Sequence, residues 1–174
     1  MKLIGSLILT GFLFSTHAFS GLHLEPYIGA GKNVTDISFA QAALSDQDDD
    51  VSTSHVGARV GYSFLLLSAG IDYEMASSSD VSANNLAVFV GVDMPILLRA
   101  YGKYYLSSNI DNDNVDVDFE FKDGYALGVG FTGLPFVSIN VEVQSINYEF
   151  DGSGGAVTGD ASSNVTLLSV SLPI

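Results

Sequence analysis

The chain has 174 residues, of which 47% are hydrophobic, 20 are acidic and 6 are basic, so its formal net charge is −14. Such a high hydrophobic content excludes an intrinsically disordered chain, and the lack of a basic patch excludes a nucleic-acid-binding protein. The sequence contains no cysteine, which excludes a lipid-bearing N-terminal cysteine, a disulfide framework and a thiolate metal site.

Residues 1–20 predict a signal peptide for secretion, and residues 21–174 predict one mature domain. Lys2 supplies a positive start, residues 3–14 form the apolar region of the signal, and the small residues Ala18 and Ser20 suit cleavage before Gly21. Cleavage after Ala18 is the competing position. The apolar run is too short to cross a membrane as a helix.

Apolar residues recur at every second position in eight runs, a period typical of β-strands. In the second run, Val56 and Val60 alternate with Gly57 and Arg59, so one face is apolar and the other is small or charged. The predicted strands cover residues 22–31, 55–64, 66–75, 86–94, 98–106, 119–131 and 137–144, with an eighth strand ending at Ile174.

Two features of this pattern predict a barrel that crosses a membrane. Glycines and charged residues lie opposite the apolar face, which suits a barrel whose apolar outside meets lipid. Long polar connections, at 32–54, 76–85, 107–118 and 151–163, alternate with very short ones, as in outer-membrane barrels. The predicted fold is therefore an all-β, eight-stranded, antiparallel, up-and-down transmembrane β-barrel. The rival is a soluble barrel of lipocalin type, with its apolar face inside.

The strands "VGARVGYSF", "SAGIDYEM" and "YALGVGF", with a terminal strand that ends the sequence, resemble the small eight-stranded outer-membrane barrels. This family includes the transmembrane domain of OmpA and OmpX. The resemblance implies a location in the outer membrane of a Gram-negative-type bacterium, among lipid and lipopolysaccharide. It also implies insertion by the outer-membrane assembly machinery. A monomer is expected, because a closed barrel of this size leaves no strand edge unpaired.

Charged residues of both signs fall on the face that points into the predicted barrel. An eight-stranded barrel is only just wide enough for its side chains to fill, so these charges are expected to pair and close it. The alternative is a narrow pore for ions or small solutes, gated by a rearranging pair. The predicted interior charge network consists of Glu25, Arg59, Asp72, Glu74, Asp93, Arg99, Lys103, Lys122 and Glu142.

One histidine raises an enzymatic alternative, because some barrels of this size modify lipid A. His55 is expected beside Glu74 at the outer ends of their strands, with Ser77, Ser78 and Ser79 in the next connection. A serine, histidine and glutamate could form a hydrolytic triad there. The sequence matches no active-site pattern of such enzymes, so a lipid A-modifying enzyme ranks third. No catalytic residue, cofactor or resident metal is predicted.

Acidic residues crowd two of the long connections. Carboxylates at this density could bind divalent cations weakly, although the third connection lacks the glycine and the final glutamate of a calcium loop. A solvated acidic surface is the favoured interpretation. The clusters are Asp46, Asp48, Asp49 and Asp50 in the first connection, and Asp111, Asp113, Asp116 and Asp118 in the third.

Aromatic residues predict two belts at the membrane interfaces. Tyr101 and Tyr105 are expected inside, where they would fill the lumen. The expected belt residues are Tyr62, Phe64, Phe131 and Phe136 at the short-turn end, and Tyr73, Tyr104 and Phe121 at the other end.

The sequence thus favours a non-enzymatic outer-membrane barrel. It would serve as a scaffold that displays acidic extracellular loops for membrane integrity, adhesion or recognition.

Overall fold

The computed structural model describes residues 21–39, 47–78, 81–112, 117–152 and 158–174. The predicted signal peptide lies outside these residues. Eight strands make up almost all of the described chain. They are β1 (Gly21–Phe39), β2 (Gln47–Phe64), β3 (Leu67–Ser77), β4 (Val81–Met94), β5 (Leu98–Asn112), β6 (Val117–Leu134), β7 (Val137–Gly152) and β8 (Thr158–Ser171).

The strands form a closed barrel in which each pairs with the next along the chain and β1 pairs with β8, always antiparallel. The last residues continue the wall, since the Ile174 amide donates to the Leu24 carbonyl at 2.8 Å. The prediction of an eight-stranded antiparallel up-and-down barrel is confirmed. The described residues include no helix that is long and apolar enough to span a membrane.

Burial alternates along the strands in the sense opposite to that of a water-soluble protein. Large apolar side chains on the outer surface are exposed, as at Val90 (65%) and Leu127 (66%). Charged side chains on the inner surface are buried, as at Arg59 and Lys103. This arrangement excludes the lipocalin-type alternative and matches barrels whose outside contacts lipid.

The strands are longer than the sequence predicts. Most of the expected loop at 32–54 is strand, because β1 and β2 remain paired up to Ile37 and Gln47. The expected loops at 76–85, 107–118 and 151–163 are likewise shortened by β3 to β8. Outside the apolar zone both faces of a strand are polar, so the period of two disappears although the backbone pairing continues. We call this extended end of the barrel the long-hairpin end.

A β-bulge in β6 reverses which residues face inward. Pairing with β7 shifts between Phe121 and Asp123. Phe121 consequently packs against the interior cluster, and the side chain of Lys122 lies outside, about half exposed. The predictions that Lys122 faces the lumen and that Phe121 joins an outer aromatic belt are therefore wrong, because an extra residue breaks strict alternation.

Three short turns close the other end, which we call the short-turn end. Each contains one residue other than glycine with a positive φ, namely Leu65 (56°), Leu97 (64°) and Phe136 (64°). A side chain disfavours this backbone region, so the tight turns are held by the pairing of the strands on either side.

Candidate functional site

The centre of the lumen is organised around Arg59 on β2. Its Nε donates to Asp72 Oδ2 at 2.9 Å, and its Nη2 donates to Glu142 Oε2 at 3.3 Å. Its Nη1 lies 3.5 Å from Glu25 Oε1. One buried guanidinium thus links β2 to β3, β7 and β1 across the barrel.

Lys103 on β5 shares carboxylates with Arg59. Its Nζ lies 2.9 Å from Glu142 Oε1, 3.0 Å from Asp72 Oδ2 and 3.8 Å from Glu74 Oε2. The side chain is completely buried. Two cations and three carboxylates therefore occupy the same cross-section, and opposite charges alternate within it.

Aromatic rings pack against these cations. The Arg59 guanidinium lies 4.2 Å from the centroid of the Tyr101 ring and 4.9 Å from that of Tyr27. The Tyr27 hydroxyl oxygen lies 2.9 Å from Asp72 Oδ1 and 3.0 Å from Glu74 Oε2, so its single proton is shared between the two carboxylates. Rings and ion pairs together fill the middle of the lumen, as expected for a barrel of this width.

A second group of charges lies toward the short-turn end. Arg99 Nη1 donates to Glu25 Oε2 at 2.5 Å, and its Nε donates to Asp93 Oδ1 at 2.7 Å. His23 Nε2 lies 3.0 Å from Glu25 Oε2, and the Ser171 hydroxyl donates to Glu25 Oε1 at 2.5 Å. Because Ser171 is the last residue of β8, Glu25 ties the final strand to the interior network.

The network contains more carboxylates than cations. Among the described residues, the basic side chains that pair with its five carboxylates, Glu25, Asp72, Glu74, Asp93 and Glu142, are Arg59, Arg99 and Lys103. Each of the two described histidines contacts one of these carboxylates, His23 with Glu25 and His55 with Glu74.

Glu74 marks the upper boundary of this charged region. Gln144 Nε2 donates to its Oε2 at 3.1 Å, and Asn85 Nδ2 donates to its Oε1 at 3.3 Å. His55 Nδ1 lies 3.3 Å from Glu74 Oε1, and His55 Nε2 lies 2.8 Å from Thr53 Oγ1. The side chains of Gln144, Asn85 and His55 thus cover the charges on the side facing the long-hairpin end.

Above this layer the lumen widens into a cavity of about 340 Å³, which we call the outer cup. His55, Asn85 and Gln144 contribute to its floor, next to the charged network. Its walls are mainly apolar and include Val51, Val81, Ile110, Phe119, Ile146 and Val165.

The structure places most of the predicted site residues inside the barrel and one on its outer surface. Glu25, Arg59, Asp72, Glu74, Asp93, Arg99, Lys103 and Glu142 come together inside the barrel. Lys122 instead pairs on the outer surface with Glu149, at 2.6 Å, and Asp160, at 3.5 Å. Sequence reasoning missed Tyr27, Gln144 and Asn85, although their places in the alternation put them on the inward face.

The side chains that meet at the site of the expected hydrolytic triad differ from the predicted ones. His55 and Glu74 are adjacent, but the hydroxyl in contact with His55 belongs to Thr53. Ser77 and Ser78 line the outer cup, and the Ser78 hydroxyl donates to the Val81 carbonyl at 3.3 Å. Ser79 lies outside the described residues.

In the described part of the chain, no group of three or more histidine, aspartate or glutamate side chains could hold a metal ion. The predicted acidic clusters fall outside the described side chains. Their members are Asp46, Asp48, Asp49 and Asp50, and Asp111, Asp113, Asp116 and Asp118.

Comparison with known proteins identifies the fold. No protein-family model matches the chain, and no curated protein matches it. Among solved structures, Neisserial surface protein A superposes with a TM-score of 0.50 at 16% identity, covering 84% of this chain and 96% of that one. Ail, the attachment invasion locus protein of Yersinia pestis, superposes with a TM-score of 0.51 at 11% identity, covering 88% and 99%. The chain thus has the fold of small eight-stranded outer-membrane barrels.

Proposed function

We propose that this chain is a non-enzymatic outer-membrane barrel whose lumen is closed by the interior network. Its long-hairpin end would face the exterior and serve membrane integrity, adhesion or recognition. The asymmetry of the barrel supports this orientation, because outer-membrane barrels have short periplasmic turns and longer extracellular connections.

The outer surface supports a position in a lipid bilayer. Exposed apolar side chains project from every strand, among them Leu24, Val60, Ile71, Val90, Leu127 and Leu168. A surface so rich in apolar groups needs lipid, and on its outward side lipopolysaccharide, as its solvent. Within this apolar zone, closure of β1 against β8 leaves no strand edge for association, which supports a monomer.

The observation that carries the closed-lumen proposal is the sharing of Asp72 and Glu142 by Arg59 and Lys103. These contacts span opposite walls of the barrel at its middle. Opening a water path there would separate several buried ion pairs at once, and each unpaired buried charge is costly. The network therefore supports a plug rather than the narrow pore.

The charge of the chain constrains what the exterior could recognise. The solved Ail structure is a complex with the heparin analogue sucrose octasulfate, a polyanion. The present chain has 20 acidic and 6 basic residues and would repel such a ligand. Any recognition by its long-hairpin end should therefore favour neutral or cationic surfaces.

The trio of Thr53, His55 and Glu74 has the order of nucleophile, base and orienting acid, but two features favour a structural role. The described strands that carry the trio pair with their neighbours, and amides committed to such pairing are not free to stabilise an oxyanion. Glu74 is also held by Tyr27, Asn85 and Gln144, as a member of the plug would be.

Single-channel conductance of refolded residues 21–174 in a planar bilayer tests the proposal. A silent bilayer is expected when the protein is shown to be folded by different gel migration before and after boiling. Steady and reproducible openings would contradict the plug and establish the pore. Transfer of an acyl group to or from lipid A, lost on His55→Ala, would instead establish the enzyme.

A further inference from the structure

The barrel wall has an uneven height at the long-hairpin end. Pairing between β2 and β3 ends at Ser54 and Ser77, because β3 turns back into β4 there. β2 continues beyond this point and stays paired with β1 up to Gln47. Among the described residues, no strand pairs with the other edge of β2 from Gln47 to Thr53. We call this unpaired segment the free edge.

The free edge lies beyond the lipid-facing part of the wall. On the outer surface of β2 and β3, the exposed apolar side chains end at Val56 and Met75, which lie opposite each other. The next outward pair, Ser54 and Ser77, is polar. Unpaired N–H and C=O groups are tolerated above it, because water can hydrogen-bond to them and hydrocarbon cannot. Residues 47–53 thus give an accessible edge about 23 Å long.

A second unpaired stretch, between β5 and β6, is less accessible. Pairing of these strands stops at Tyr104 and Tyr125, although the strands continue to Asn112 and Val117. The chain connects β5 directly to β6 above this opening, so an added strand would have to thread beneath the connection. The free edge of β2 has no such obstacle, because the β3–β4 hairpin beside it ends near the level of Ser54.

An unpaired strand edge is a template for the addition of another strand. An extended segment of a partner protein would hydrogen-bond to the free edge. Its inward side chains would lie next to Val51 and Thr53, which line the outer cup. β-branched residues suit these positions, since they pack well on a half-buried sheet.

Charge selects the kind of partner. Residues 48–50 of the free edge are all aspartates, and the exposed Asp36 on β1 lies opposite the first of them. A second copy of this chain would bring the same aspartates against them, and like charges on adjacent strands destabilise pairing. Basic residues would be attracted instead. Because Lys32 on β1 lies opposite Ser52, the basic residues of a partner belong nearer the tip, beside residues 48–50.

From the accessible strand edge, its position beyond the lipid-facing zone and its acidic sequence, we infer that the free edge binds an extended basic segment of a partner protein by strand addition. The backbone hydrogen bonds supply affinity, and the charges select the partner. This inference rests on the proposed function, because it names the partner for the recognition proposed at the long-hairpin end.

Three peptides test the inference. They are a blocked heptapeptide of alternating lysine and threonine, its counterpart with glutamate in place of lysine, and the lysine–threonine peptide with every backbone amide N-methylated. Each is titrated into refolded residues 21–174 in neutral detergent micelles, and backbone amide shifts are recorded by NMR. The lysine–threonine peptide is expected to shift the amides of residues 47–53 saturably, with a dissociation constant on the order of 1 mM.

The other two peptides separate charge from hydrogen bonding. The glutamate peptide should not saturate, because its charge has the sign of the free edge. The N-methylated peptide keeps the lysine charges but has no backbone donors, so it should bind at least about tenfold more weakly than its parent.

Hydrogen exchange gives a signature that charge attraction alone would not produce. Successive N–H groups of a strand point to opposite sides, so every second amide of residues 47–53 should be protected by β1 and the others should exchange fast. The lysine–threonine peptide should slow the fast set by at least about tenfold and leave the protected set unchanged.

Two variants with the same change of charge locate the binding. Each replaces three aspartates by asparagine, Asp48, Asp49 and Asp50 in one variant and Asp111, Asp113 and Asp116 in the other. The first should weaken binding of the lysine–threonine peptide by about tenfold, because it removes the charges on the free edge. The second removes charge near the β5–β6 connection and should weaken binding by less than about twofold.

Three results would overturn the inference. They are the absence of saturable shifts with the lysine–threonine peptide, equal binding of its N-methylated form, and equal weakening by the two variants. The proposed orientation is tested separately with Ser52→Cys, which introduces a single cysteine into the chain. A maleimide that does not cross membranes should label it on intact cells. Absence of labelling on folded barrels would contradict the exterior orientation, whereas the titrations in micelles do not depend on orientation, so the two proposals fail separately.

Discussion

The two halves of the lumen are built on the same strands but are stabilised by opposite chemistry. In the middle and toward the short-turn end, buried ions such as Arg59 and Lys103 share several carboxylates. Toward the long-hairpin end, an apolar cluster that includes Ile146 and Tyr148 packs against part of the wall and leaves the outer cup open beside it.

The difference shows that buried charges and buried apolar side chains are stabilised by different kinds of contact. A buried charge needs partners on several strands, so losing one group leaves others uncompensated. An apolar wall tolerates an adjacent cavity, because each missing contact costs little by itself. The charged half should therefore respond strongly to single substitutions, and the cup should respond weakly.

The largest effect is expected for Arg59→Ala. This substitution leaves Asp72 and Glu142 with one cation fewer and removes a contact to Glu25, which should lower the free energy of unfolding by about 3–5 kcal/mol. Reversible urea unfolding in lipid vesicles measures the change. Lys122→Ala, which removes an exposed cation with two acidic partners, is the matched control and should leave the midpoint unchanged. Equal effects of the two variants would show that the interior network does not hold the barrel closed.

The contact between Lys103 and Glu142 should show strong coupling. Lys103→Met and Glu142→Gln each leave charges unmatched, whereas the double variant removes one charge of each sign. The double variant should therefore be more stable than the sum of the single effects predicts, by about 2 kcal/mol. Urea unfolding of all four proteins completes the cycle, and additive effects would contradict the pairing.

A glycine in the charged half should also be sensitive to substitution. A Cβ added at Gly128 would collide with the Tyr101 ring, which stacks on Arg59. Gly128→Ala should destabilise the barrel by about 1–3 kcal/mol through overpacking. Gly102→Ala is the control, because its Cβ would meet only ordinary contacts, the nearest being Leu127 Cδ2 at 3.5 Å. The ratio of folded to unfolded bands on unboiled gels across a urea series would separate the two variants.

The charged half was more predictable from sequence than the cup. Alternation by two places Arg59, Asp72, Lys103 and Glu142 on one face, and the narrow lumen forces residues on that face together. His55 and Glu74 were likewise expected to be neighbours, and their strands place them in contact. No local pattern marks Thr53 as the hydroxyl that reaches His55, because that depends on side-chain conformation.

The cup could not be predicted because it depends on departures from regular alternation. The bulge at Phe121 turns Phe119 and Phe121 inward and Lys122 outward, and no motif in the sequence marks it. A second bulge shifts the pairing of β4 with β5 at Leu86 and Ala87. Each bulge changes which residues line the long-hairpin end, whereas regular pairing preserves alternation through the charged half of β1 to β3.

The smallest effect is expected inside the cup. Ile146 is buried and packs within the apolar cluster, yet it also borders the cavity. Ile146→Val removes one methylene and should lower the free energy of unfolding by about 1 kcal/mol, measured by urea unfolding in vesicles. Ile139→Val, on the exposed surface of the same strand, is the control and should change stability less. A loss at Ile146 as large as that of Arg59→Ala would mean that the cup is as tightly constrained as the charged half, and the contrast between the two halves would fail.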